Sequence, residues 1–410
     1  MTESKELLGT ILDIGAALIQ CGAETHKTEK NLYRMCDSFG FVDCNIWVIP
    51  SDIQASVTTS DGNVITMIRH VRIGSVNYAR LYELNDLARS VAEGMVTPEN
   101  LKQRYEQIKS RDIQKAYVRY LAGILGGTGF AVFFNCNFWD AVVAGVASFL
   151  VAFLGRKLSQ FEKNPLVYNF VLSFISETLI VLAVHNGIGH HVGDITVGVV
   201  MLLISGIGAT NGIKDLMHLD TVSGILKLTE SLLGAIGIAV GMGLSLFMTK
   251  SWATETVAAV NSSEIISLAA CVIGCVGFSL WFNVKLKHLA LCALGAFLTW
   301  GVYLITKTLT VGTFIPIMIA SIVCAFYAQL ISRIAKAPST IFMSIAFFPL
   351  VPGAALYYMM CGLVTTESEL AFSSAIVLAK TCFAIVLGIM VVEVIVRCVR
   401  KAIGKLPTIE

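Results

Sequence analysis

Two long apolar segments of this chain are each interrupted near their middle, and the interruptions constrain everything else it can fold into. One reads Ile204-Ser205-Gly206-Ile207-Gly208-Ala209-Thr210-Asn211-Gly212. The other lies 147 residues on when Gly206 is set on Gly353, and reads Phe348-Pro349-Leu350-Val351-Pro352-Gly353-Ala354-Ala355-Leu356-Tyr357. Both sit in stretches long enough to cross a bilayer, yet both carry residues that disrupt a regular helix. An opened backbone in hydrocarbon leaves N–H and C=O groups without partners, so such breaks persist only where protein or water surrounds them. A matched pair of breaks predicts a substrate pathway between them.

The chain around the breaks is that of a polytopic membrane protein: 410 residues, 55% hydrophobic and 14% charged, with a mean hydropathy of +0.74. Residues 1–116 hold 13 Lys/Arg and 15 Asp/Glu, leaving 30 charged residues for the other 294. A soluble domain over 1–116 is therefore expected to precede the membrane part. The net charge of +2 and the dispersed basic residues exclude a nucleic-acid partner. The first 20 residues alternate charged and apolar groups at helical spacing, without the apolar core of a secretory signal, so the amino terminus is expected in the cytoplasm. The eleven cysteines include no metal-type C-x-x-C pair and read as free thiols.

Within the first 116 residues the spacing predicts helices over 3–20 and 24–38 joined at Gly22, strands over 43–49, 52–58 and 64–71 with an Asp61-Gly62 hairpin, and helices over 76–93 and 98–111: a small α+β domain. The run Cys21-Gly22-Ala23-Glu24-Thr25-His26-Lys27 gathers an acid, an imidazole and an amine. A helix start favours acidic side chains on electrostatic grounds alone, and the run is read as one. No nucleophile with its base, phosphate loop or zinc spacing stands out, so the chain is not read as an enzyme, and no cofactor is expected.

Ten apolar spans follow, over 117–134, 138–155, 166–185, 194–213, 222–248, 265–282, 286–305, 312–332, 340–361 and 371–396. With the amino terminus inside, the inside loops and tail hold twelve Lys/Arg, among them Lys214, Lys285 and Arg397, against Lys250 and Lys307 outside. That bias predicts both termini in the cytoplasm. Gly126, Gly129, Phe130, Phe134, Asn135, Phe149 and Leu150 reappear 148 residues later as Gly274, Gly277, Phe278, Phe282, Asn283, Phe297 and Leu298. Each half has an odd number of spans, five, so the second enters the membrane from the opposite side. The expected architecture is two inverted five-helix repeats, 117–262 and 263–396, with a basic tail over 397–410.

Several motifs resemble those of the threonine/serine exporters. They are Gly22-Ala23-Glu24-Thr25, the hairpin leading into Arg69, Leu84-Asn85-Asp86-Leu87, the run Asn211-Gly212-Ile213-Lys214-Asp215-Leu216 with Asp220-Thr221-Val222-Ser223-Gly224 after it, and Pro349-Leu350-Val351-Pro352-Gly353. The family often has prolines where this chain has Leu202 and Ser205, so the first break is expected to bend through Ser-Gly. The resemblance implies export of small hydrophilic metabolites, threonine and serine above all, across the inner (plasma) membrane, coupled to protons. Export of succinate or another dicarboxylate stays open as an alternative, as does a channel or scaffold gated by the soluble domain.

Individual side chains suggest roles. Glu177, mid-span, would cost at least ~2.5 kcal/mol to bury charged, so it is a candidate proton carrier or a protonated tie between helices. Glu230 and Lys380 are read as a possible charge pair, with Lys380 as a partner for a substrate carboxylate the alternative. Ser205, Gly206, Thr210, Asn211, Pro349, Pro352, Gly353 and Tyr357 are the candidate substrate-binding residues, since opened helix ends offer N–H groups to a carboxylate and carbonyls to an ammonium group. His190, His191 and Asp194 lack a third well-spaced ligand, and no metal is expected.

Overall fold

In a computed structural model, residues 2–72, 74–111, 114–204, 206–249, 263–365 and 367–402 are described. The amino-terminal unit opens with helices α1 (Thr2–Gln20) and α2 (Thr25–Ser38), joined through Gly22 at φ +94°. Strands β1 (Val42–Val48), β2 (Asp52–Thr58) and β3 (Val64–His70) form an antiparallel sheet in that order. Helices α3 (Tyr78–Ala92) and α4 (Pro98–Ser110) complete it, α3 capped by the Asn77 side chain accepting from the Arg80 N–H. Alternation along β2 turns Ile53, Ala55 and Val57 inward onto Leu8, Ile11 and Leu12 of α1 and Leu32 of α2, all buried.

The membrane part contains α5 (Ala116–Phe133), α6 (Phe138–Leu158), α7 (Pro165–His185), α8 (Val192–Val200), α9 (Gly206–Met217), α10 (Thr221–Met248), α11 (Glu264–Trp281), α12 (Leu286–Leu309), α13 (Phe314–Ile334), α14 (Ser339–Phe347), α15 (Gly353–Thr365) and α16 (Ser368–Ala402). Among the described residues, eight single helices are long and apolar enough to cross a bilayer, and α14 with α15, bent by 49° at their break, would add a ninth if the two form one span. The fourth expected span, 194–213, is divided into α8 and α9, of 9 and 12 residues. At 1.5 Å per residue neither crosses a membrane alone. The predicted tail boundary at 397 is not an element boundary, because α16 runs on to Ala402; residues 403–410 lie outside the described residues.

Helices α5 and α11, which carry the repeated glycines, pack backbone to backbone. A Cβ on Gly129 would lie 2.6 Å from the Gly274 Cα, and one on Gly277 would lie 2.7 Å from the Gly126 Cα. As the number rises along one helix it falls along the other, so the two run antiparallel. Phe130 and Phe278, equivalent under the 148-residue offset, meet edge to face with centroids 5.4 Å apart. Asn135 and Asn283, also equivalent, both take left-handed conformations after their helices, at φ 75° and 55°.

Candidate functional site

The two breaks differ in construction. In the second, Pro349 and Pro352 bring no N–H, and the helix tightens into a 3₁₀ turn at Phe348–Leu350 before Val351 goes extended. The Gly353 N–H donates to the Val351 carbonyl (2.8 Å), so helical bonding is not continuous through it. In the first, α8 ends in three-residue turns, with Leu202 and Leu203 N–H groups donating to Val199 and Val200 carbonyls (3.1 and 2.8 Å), and α9 restarts at Gly206. Ser205 and the Thr210 side chain lie outside the described residues.

The breaks face each other. A Cβ on Gly353 would meet the Met201 sulfur at 2.8 Å and Ile204 at 3.5 Å. The short helix α8 links this meeting point to two other candidates. The Tyr357 ring lies against Gly193, and the Thr196 hydroxyl donates to Glu177 Oε2 at 2.7 Å. Glu177 is wholly buried, and its Oε1 has no hydrogen-bond partner. Just before α8, His191 pairs with the buried Asp140 at 2.6 Å, and Asp140 also accepts from the His190 and His191 N–H groups. Among the described residues no cluster fit to hold a metal ion occurs.

Asn211 is not at the break. It lies on the far part of α9, where its side-chain amide donates to the Gly22 carbonyl of the amino-terminal unit (3.2 Å). With Lys214 and Asp215 it forms one buried face, the i, i+3, i+4 positions of a helix. The Gly22–Lys27 turn sits on that face. Glu24, 4% exposed, pairs with Lys214 and with Lys27, each at 2.8 Å, and accepts from the Thr340 hydroxyl of α14 at 2.7 Å. The Thr25 hydroxyl donates to Asp215 (2.9 Å), Lys227 of α10 pairs with Asp215 (2.7 Å), and Lys27 donates to Ser339 (2.9 Å). Burial alone would raise the Glu24 carboxyl, but Lys214 and Lys27 overcome it and hold the group well below the usual carboxylate range.

The helix-start reading of this turn thus needs correction. Glu24 does occupy the N-cap of α2, but its side chain makes no cap hydrogen bond and points into the membrane part instead. The second half is held as well: the Tyr78 N–H donates to the Phe282 carbonyl (2.9 Å), Asn283 donates to Asn77 (3.0 Å), and Lys285 pairs with Glu83 (2.9 Å). Tyr78 itself is completely buried. Arg69 belongs to a separate place, paired with Asp13 on α1 at 2.7 Å.

The charge pair expected between Glu230 and Lys380 is absent. Among the described residues no ion pair joins them, and both side chains are exposed, on α10 and α16. Sequence reasoning quoted Lys214 and Asp215 within a motif but gave them no role, and passed over Lys227 and Thr340. Lys214 was counted as a loop cation, yet it is 2% exposed. The available signal was its spacing from Asn211, which puts amide, amine and acid on one helical face.

Comparison with known proteins places the chain in a family. Residues 9–249 match the family model described as "Putative threonine/serine exporter", and residues 267–395 match that described as "Threonine/Serine exporter, ThrE". The chain belongs to the threonine/serine exporter family. Two relatives are similar over nearly all of it. A "Probable threonine/serine exporter" of Mycobacterium tuberculosis is 20% identical over 98% of this chain and 79% of its own. A "Threonine/serine exporter" of Corynebacterium glutamicum is 22% identical over 95% of this chain and 82% of its own. No solved structure matches. The membership covers both halves, and with them both breaks and the α9 face.

Proposed function

We propose that this protein exports threonine and serine from the cytosol across the plasma membrane, by alternating access driven by the proton motive force. The observation that carries the reading is the meeting of the breaks, Gly353 against Met201 and Ile204, between segments from the two halves. Opened helix ends at one point give an amino acid both N–H donors for its carboxylate and carbonyls for its ammonium group. On this reading α8 and α9 together are one broken span, the fourth in the chain, and bring the count to ten. The antiparallel contact of α5 with α11 supports two inverted repeats, and the distribution of Lys and Arg supports cytoplasmic termini. Membership of the threonine/serine exporter family favours an amino acid over a dicarboxylate.

Glu177 is the proton carrier in this scheme. One of its oxygens is held by Thr196 on the helix that leads to the break, while the other is buried and unpaired. Gaining or losing a proton there changes what α8 is bonded to. Counterflow into proteoliposomes with labelled threonine, serine and succinate tests the substrate: threonine and serine should exchange, and exchange of succinate alone would overturn the reading. Glu177→Gln should lower pH-gradient-driven transport at least tenfold while leaving threonine counterflow in place. Full gradient-driven transport by that variant would remove Glu177 from the coupling.

A further inference from the structure

The contact between the amino-terminal unit and the membrane part is built from buried charge. Glu24, Lys214, Asp215 and Lys227 are each 8% exposed or less, and they alternate in sign along the seam between the Gly22–Lys27 turn, α9 and α10. The turn also touches α14 through Thr340 and Ser339. It therefore bridges the cytoplasmic ends of both broken spans. Tyr78, from the same unit, is buried beside Ser344, one turn deeper along α14 than Thr340. A solute leaving the cytosol for the breaks along this face of α9 and α14 meets the turn and the tyrosine first.

Withdrawing the turn would strand Glu24, Lys214 and the Thr340 hydroxyl without their partners, a costly outcome for groups this deeply buried. A molecule carrying both an ammonium and a carboxylate group can replace both partners at once. One further acceptor already waits there: the Asn211 side-chain carbonyl oxygen is buried and has no hydrogen-bond partner. A dianion offers nothing to Glu24 or to that oxygen.

We propose that the amino-terminal unit is a cytoplasmic gate, opened by a zwitterionic amino acid whose ammonium group takes the place of Lys214 at Glu24 and donates to the unpartnered Asn211 oxygen, and whose carboxylate takes the place of Glu24 at Lys214. The inference rests on the reading of the chain as an amino-acid exporter and assigns to it a recognition site apart from the breaks.

The test uses the full-length chain with Ser344→Cys in inside-out vesicles, where Ser344 is now 7% exposed and lies beside Tyr78. A membrane-impermeant maleimide labels the new thiol, which is quantified on its own peptide by mass spectrometry. Threonine should raise the labelling rate at least fivefold. Succinate, 2-hydroxybutyrate (carboxylate alone) and 1-amino-2-propanol (ammonium alone) should each change it less than twofold. The double substitution Glu24→Gln/Lys214→Gln should label quickly without ligand and gain nothing from threonine; slow labelling of this variant, folded by its size-exclusion profile, would count against the gate. Threonine counterflow is read on the same vesicles. Active counterflow with labelling indifferent to threonine overturns the gate and leaves the exporter standing. Equal acceleration by either single-charge analogue overturns the zwitterion requirement and with it the proposal. Absent counterflow with labelling still raised by threonine overturns the exporter but not the gate, and absence of both overturns the two together.

Discussion

Glu24 is the residue on which the attachment of the amino-terminal unit turns. Glu24→Gln removes the anion between Lys214 and Lys27 and leaves Lys214, 2% exposed, with a neutral partner. Breaking a buried pair in this way costs roughly 3–5 kcal/mol. The expected outcome is a clear drop in melting temperature of the detergent-solubilised protein, with the Glu24→Gln/Lys214→Gln double variant losing less than the two single losses added together. Acid provides a second check. Because the folded-state value of Glu24 is depressed, its contribution is fully present above its unfolded value, near 4.5, and is lost as pH falls through the folded value. The melting-temperature difference between wild type and Glu24→Gln should therefore stay constant from pH 7 to 4.5 and close below that. The acid in Gly22-Ala23-Glu24-Thr25 was visible in the sequence. Its partner, 190 residues away, was not, since periodicity reports which face a residue is on and not what that face meets.

Most helices were legible, though not all their lengths, because apolar runs and turn residues act locally. The prolines of the second break marked where α14 ends, and the glycine of the first marked where α9 begins. What local pattern does not carry is how closely two elements approach. Gly277→Ala would force a methyl group into the backbone of Gly126, and Gly129→Ala one into that of Gly274. Backbone cannot swing aside as a side chain does, so each should cost about 1–3 kcal/mol or more. Gly301→Ala in α12, with nothing within 4 Å, should be neutral or slightly stabilising. Gly353→Ala falls between them, because the nearest atom is the sulfur of the flexible Met201 side chain. Melting temperatures of the four variants in one detergent would check the order. If Gly277→Ala melts with wild type, α5 and α11 do not pack as described.

At the scale of the molecule, the sequence divided an amino-terminal part from a membrane part by charge density, and the structure joins them again through charge. The pairs Glu24–Lys214 and Glu83–Lys285 tie one unit to both halves of the other. Composition could not show this, because a lysine counted as a loop cation and one buried at an interface look alike in a sum. The candidate substrate residues were likewise only partly legible. Gly353 meets the first break at Met201 and Ile204, but Asn211 sits at the Gly22 turn. Their separation along α9 follows from the helix resuming at Gly206, which carries Asn211 about a turn and a half away.

The contact of α5 with α11 has one more property. Residue 126 meets 277 and residue 129 meets 274, so exchanging the two helices reproduces the same surface. It is self-complementary, as the interface of a twofold dimer is, although it lies within a single chain. Two such helices can hold the halves together without a covalent link between them. Residues 1–249 and 263–410, expressed as separate polypeptides in one cell, should find each other in the membrane and co-purify, and Gly129→Ala in the first piece should prevent it.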